Sequence, residues 1–102
     1  MSPEEQNIAI AENCGWEIIH DHYFIGGHAW RKPNGDIVGE GEIPNYTMDL
    51  NVMYKAEEIL TPKQLHQMEI ELVWETQDGL LWRATAAQRA KAFLKTLKLW
   101  KE

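Results

Sequence analysis

His28-Ala29-Trp30-Arg31-Lys32-Pro33-Asn34-Gly35-Asp36-Ile37-Val38 carries the reading on which the fold turns. Proline fixes φ and Asn-Gly tolerates positive φ, so the segment between the two flanking runs is a strong turn signal. Residues 28 to 31 and 36 to 42 are therefore predicted to pair as an antiparallel hairpin, with Gly39 and Gly41 suggesting a bulge or close backbone approach. Upstream, Trp16-Glu17-Ile18-Ile19-His20 and Tyr23-Phe24-Ile25 are short, β-branched and aromatic, as strands are, and Gly26-Gly27 breaks them from the hairpin. The expected sheet is an antiparallel meander.

Helix signals flank this meander. Ser2-Pro3-Glu4-Glu5 fits a capping box with proline at the first helical position, and Gly15 supplies the left-handed residue that commonly ends a helix. From Asn45 onward the apolar period changes to 3.6, and Leu50, Met53, Tyr54, Glu57 and Leu60 trace a stripe behind a cap at Asn45 or Thr47. Thr61-Pro62-Lys63-Gln64 repeats the capping box and opens a third helix. Over residues 68 to 74 apolar Met68, Ile70, Leu72 and Trp74 also alternate with Glu69, Glu71 and Val73, so a strand competes there; length and the cap favour helix. Leu80-Leu81-Trp82 reads as a short extended segment. Thr85-Ala86-Ala87-Gln88 caps a last helix with Ala86, Ala90, Phe93, Leu97 and Trp100 inward and Lys91, Lys95 and Lys98 outward. The predicted class is α+β: a small antiparallel sheet with helices on both faces, an α/β/α sandwich in which the sheet separates the first helix from the later ones.

At 102 residues the chain has room for one core, and a single domain spanning 1 to 102 is expected. Hydrophobic residues at 44% and charged residues at 25% exclude disordered and low-complexity classes. No apolar run approaches the roughly 20 residues of a membrane span, and no membrane partner is expected. The acidic start and single cysteine, Cys14, are unlike a secreted disulfide protein, so the expected compartment is the cytoplasm.

Charge is unevenly divided. Residues 1 to 79 hold 4 basic against 15 acidic side chains, a net −11, whereas residues 80 to 102 hold 6 basic against 1 acidic, a net +5. A basic terminal helix is a nucleic-acid candidate, but an acidic body repels phosphate and offers the same lysines an internal partner, within the fold or across a homodimer. Direct nucleic-acid binding is not expected.

The chain's chemistry is sparse. His20-Asp21-His22 with His28 is the one constellation resembling a metal set, since residues two apart on a strand share a face, but it has neither paired cysteines nor a His-Glu-x-x-His helix. The reading is a polar connection without metal. Cys14 lies at a helix end rather than a helix start, as an inert thiol. Phosphate-cradling glycine motifs and a nucleophile elbow are absent from the sequence, no catalytic set is assignable and no cofactor is implied. Trp30, Tyr46, Trp74, Trp82 and Trp100 are either core or an interface cluster; most are expected inside.

Two stretches, Ile43-Pro44-Asn45-Tyr46-Thr47-Met48-Asp49-Leu50-Asn51-Val52-Met53 and Ala84-Thr85-Ala86-Ala87-Gln88-Arg89-Ala90-Lys91-Ala92-Phe93-Leu94-Lys95-Thr96-Leu97, resemble the phage ABA sandwich domain of small bacteriophage and prophage proteins. The resemblance implies a sheet between helices and a viral gene context, with no established activity and no catalytic residues. Its motif residues have structural readings: Tyr46 stapling the helix entry, Asp49 suiting the first turn, Asn51 bonding a neighbouring loop.

The expected function is that of a non-enzymatic phage accessory protein that binds another macromolecule, a protein partner above all. Candidate contacts are Trp30, Tyr46, Asp49, Asn51, Trp74, Lys91, Lys95 and Lys98. Two alternatives stand beside it: inhibition of a host anti-phage defence protein by an acidic body filling a basic groove, and small-ligand capture in an aromatic pocket.

Overall fold

The computed structural model describes residues 1–19, 29–76 and 78–102. The expected strand at residues 23 to 25 and the histidines His20, His22 and His28 lie outside them. Four helices accompany a three-stranded antiparallel sheet, the α+β class expected: α1 (Pro3–Asn13), β1 (Glu17–Ile19), β2 (Ala29–Arg31), β3 (Ile37–Val38), α2 (Leu50–Glu57), α3 (Pro62–Glu75) and α4 (Ala86–Thr96).

The sheet order is β1-β2-β3, with Ile18 opposite Trp30 and Trp30 opposite Val38. Cross-strand partners share a face, so Trp30, 1% exposed, anchors the side that joins the core. The other side pairs Arg31 with Glu17 at 3.2 Å in solvent and exposes Ile37. The second hairpin strand is shorter than predicted. Pairing stops at Val38, and residues 40 to 42 form a 3-10 turn closed by the Glu42 N–H on the Gly39 carbonyl.

The capping boxes at Ser2, Thr61 and Thr85 form with both reciprocal bonds. Residues 68 to 74 are helix, where the cap and its proline prevail over local alternation. α2 starts later than expected, because its cap is Asp49, whose carboxylate accepts from the Asn51 N–H at 2.9 Å. Asn45 and Thr47 are instead tied to α1. The Thr47 N–H donates to Asn7 Oδ1, and the Asn7 amide and the Thr47 hydroxyl both donate to Asn45 Oδ1, each at 3.1 Å. Leu81–Arg83 is a 3-10 turn rather than an extended segment.

The layering also differs from the expected one. α1 packs directly on α4, as do α2 and α3, so the sheet does not separate the first helix from the last. The composition of α4 explains its central place. Ala86, Ala90 and Ala92 let neighbouring backbones approach closely, while Phe93 and Leu94 fill the space between them, all buried. Leu97 is the C-cap of α4 and Trp100 lies beyond it, so both pack against the core only in part.

Candidate functional site

The core-facing side of α3 is carried by Met68 and Leu72, both 2% exposed. At 100° per residue, Ile70, Val73 and Trp74 fall on the opposite side of the helix. All three are exposed, Trp74 to 80%. The chain then reverses: the Leu80 N–H bonds the Asp78 carboxylate at 3.0 Å, and the 3-10 turn that follows returns against α3. That turn presents Trp82, 77% exposed, with the Arg83 guanidinium 5.7 Å from its ring centre. Two tryptophans and two aliphatic side chains are thus left in water on α3 and the adjoining turn, whereas Met48, Ile37, Tyr54 and Ile59 are exposed elsewhere in the chain. Burial of each would be favourable at about 25 cal/mol per Å² of apolar area, so this outer face is the principal candidate for an interaction surface.

The predicted contacts fall into separate places. Trp30 belongs to the core, and its buried indole N–H has no partner among the described residues. Tyr46 is also buried, near the Cys14 thiol, and burial pushes both groups above their ordinary pKa range. Its ring joins the core against which Cys14, at the end of α1, also packs. Asp49 is the cap of α2, and Asn51 is exposed. Of all the named residues only Trp74 lies on the outer α3 face, with Ile70 and Val73; Trp82 is exposed on the adjoining turn.

The lysines of the last helix are largely engaged internally. Lys91 and Lys95 reach the Glu75 carboxylate at the end of α3, at 3.6 and 3.0 Å, and Lys91 also lies 5.0 Å from the Trp100 ring centre. The hydrogen bond to Glu75 raises the Lys95 pKa. Arg89 makes a two-pronged pair with buried Glu57, its Nε 2.9 Å from Oε2, and covers the Tyr54 ring at 4.8 Å. Lys98 lies past the helix and is exposed.

Among the described residues no three His, Cys, Asp or Glu side chains gather as a metal set, and no helix is long and apolar enough to cross a membrane. The exposure of Trp82 escapes sequence reading, because no helical period governs a short turn. For Trp74 a signal exists: it sits at i+4 from Ile70 and next to Val73, opposite the Met68 and Leu72 pair. The chain matches no protein-family model, no curated protein and no solved structure.

Proposed function

We propose that this chain is a non-enzymatic accessory protein of phage or prophage type, working in the bacterial cytoplasm, that binds a protein partner through the outer face of α3. The observation that carries the reading is the solvent exposure of Trp74 beside Ile70 and Val73, with Trp82 on the adjoining turn. Aromatic side chains dominate interface energetics. The partner's chemistry follows from charge: residues 1 to 79 bear a net −11, so the favoured partner offers an apolar groove edged by basic side chains. The likeness of residues 43 to 53 and 84 to 97 to phage ABA sandwich proteins supports the viral setting.

A basic, grooved partner is also what a nucleic-acid-handling defence protein offers, so inhibition of such a protein is the second reading. The test is capture from bacterial lysate with the native chain and with W74A/W82A, followed by reconstitution of the captured protein. A stoichiometric, salt-sensitive complex lost in the double variant supports the proposal, and competition with nucleic acid for that partner supports inhibition. Equal capture by both forms would overturn it. So would a concentration-dependent homodimer abolished by W74A/W82A, because the face would then belong to a second copy.

A further inference from the structure

A second feature lies on another side of the molecule, where the hairpin turn meets the end of α1 and the flank of α2. Gly15, at φ +96°, closes α1, and a β-carbon there would stand 3.5 Å from the Pro33 ring. The hairpin turn thus rests on the helix end. Lys32 and Asp36 close that turn with a 2.7 Å backbone bond, and the Gly35 N–H bonds the Lys32 carbonyl at 2.9 Å. Between the turn and α2 opens a cleft of about 560 Å³, within the range of small-molecule sites.

Its lining is largely apolar, with Trp16, Pro33, Pro44, Val52 and Ile59, beside the polar Asn34. Cys14 and Tyr46 also line it, both protonated at neutral pH, so they add no negative charge. Residues 1 to 79 contain only four basic side chains, and two of them, Lys32 and Lys55, line this one cleft. Neither makes an ion pair among the described residues. With Glu58 the lining is net +1, in a chain whose net charge is −6. An apolar slot bearing two ammonium groups selects for a body that leaves water and a head that stays charged.

We infer that this cleft binds an amphipathic organic acid, its aliphatic or aromatic body between Trp16 and Ile59 and its carboxylate at Lys32 and Lys55. The site is separate from the α3 face and does not rest on the proposal made for it. The probe is decanoate, titrated into the full chain and followed by the Trp indole and Lys side-chain NMR signals, with decanol as its uncharged counterpart. Saturable one-to-one binding is expected to shift the Trp16 indole and leave Trp74 and Trp82 in place. Decanol and the variant K32Q/K55Q are each expected to bind about tenfold more weakly, in keeping with loss of a charge-assisted contact. Lys55 is exposed and Lys32 half-buried, and neither makes an ion pair among the described residues, so the variant's melting temperature is expected to match the native one. Val52→Trp, which fills the slot and keeps the lysines, must also abolish binding. Shifts confined to Trp74 and Trp82, equal affinity for decanol, an unaffected lysine variant, or no saturation at millimolar decanoate would each overturn the inference.

Discussion

Lys98 stands at φ +60°, in the left-handed region, as the residue after the C-cap of α4. Its N–H bonds the Lys95 carbonyl at 3.0 Å and the Leu99 N–H bonds the Leu94 carbonyl at 2.8 Å. This is the two-bond Schellman closure of a helix end. α1 ends the same way, with Gly15 bonded to Glu12 at 3.3 Å and Trp16 to Ala11 at 3.0 Å. One end is built on glycine and the other on lysine. A β-carbon in this region costs about 1–2 kcal/mol, and glycine removes that strain. Against it stands about 0.4–1 kcal/mol for the greater freedom glycine gives the unfolded chain. The Lys98 side chain is exposed and makes no ion pair among the described residues, so little contact energy is lost. Lys98→Gly is therefore expected to stabilise the protein by about 0.5–1 kcal/mol, raising Tm by about 3–6 °C at this size. Urea denaturation followed by circular dichroism measures it: the midpoint rises while the slope stays unchanged. Gly15→Ala is expected to lower the midpoint, since its surroundings admit a methyl group but its φ does not. A midpoint for Lys98→Gly at or below that of the native chain would refute the reasoning.

Arg89→Met leaves the Glu57 carboxylate buried without its partner and is expected to cost about 2–4 kcal/mol, whereas Glu57→Leu combined with it costs less than the single change; a double-mutant cycle in urea measures both, and a single-variant loss under about 1 kcal/mol would count against it. Burial holds the Cys14 thiol and the Tyr46 phenol above their ordinary pKa range, so the folded chain keeps protons that the unfolded chain releases. Their contribution is whole below the unfolded thiol pKa of about 8.5 and falls as pH rises through it; urea midpoints between pH 8 and 10 should decline, and less steeply in Cys14→Ala. Replacing Lys91, Lys95 and Lys98 together with Gln is expected to change stability by no more than about 1 kcal/mol, as partly exposed pairs contribute little. The native chain is expected not to bind nucleic acid at physiological ionic strength, and micromolar binding in a gel shift that vanishes in this triple variant would make the basic helix the functional surface.

What was legible in the sequence was local. A capping box spans four residues and satisfies its own amides, so Ser2, Thr61 and Thr85 start helices wherever those helices later pack. The turn at residues 32 to 36 is equally self-contained. Asn45 and Thr47 have the chemistry of caps, but both are drawn into bonds with Asn7, about 40 positions away, and Asp49 takes the cap instead. The same limit applies to the tryptophans. Burial of Trp30 follows from its place on the central strand, but exposure of Trp74 depends on which side of α3 meets α4. The cleft was out of reach for a stronger reason: its lining comes from four separated stretches between Cys14 and Ile59.

The division of charge between the two ends of the chain resolves into packing, and this bears on the partner. Of the six basic residues after position 79, four meet acids of the earlier segment: Arg83 with Asp78, Arg89 with Glu57, and Lys91 and Lys95 with Glu75. Glu57 and Glu75 lie in α2 and α3, so the pairs with Arg89, Lys91 and Lys95 lie across the contacts of both helices with α4. Cations spent in this way are held beside carboxylates, which lowers the potential they present to a polyanion. Exposed acids such as Glu4, Glu5, Glu12 and Glu69 have no ion-pair partner among the described residues. The surface that remains is therefore acidic around an aromatic α3 face. With the proposed basic partner, such a surface is expected to associate faster at low salt, and apolar contact at Trp74 and Trp82 is expected to govern how long that complex lasts. Added salt is accordingly expected to slow association with little change in dissociation, whereas removal of the two tryptophans speeds dissociation.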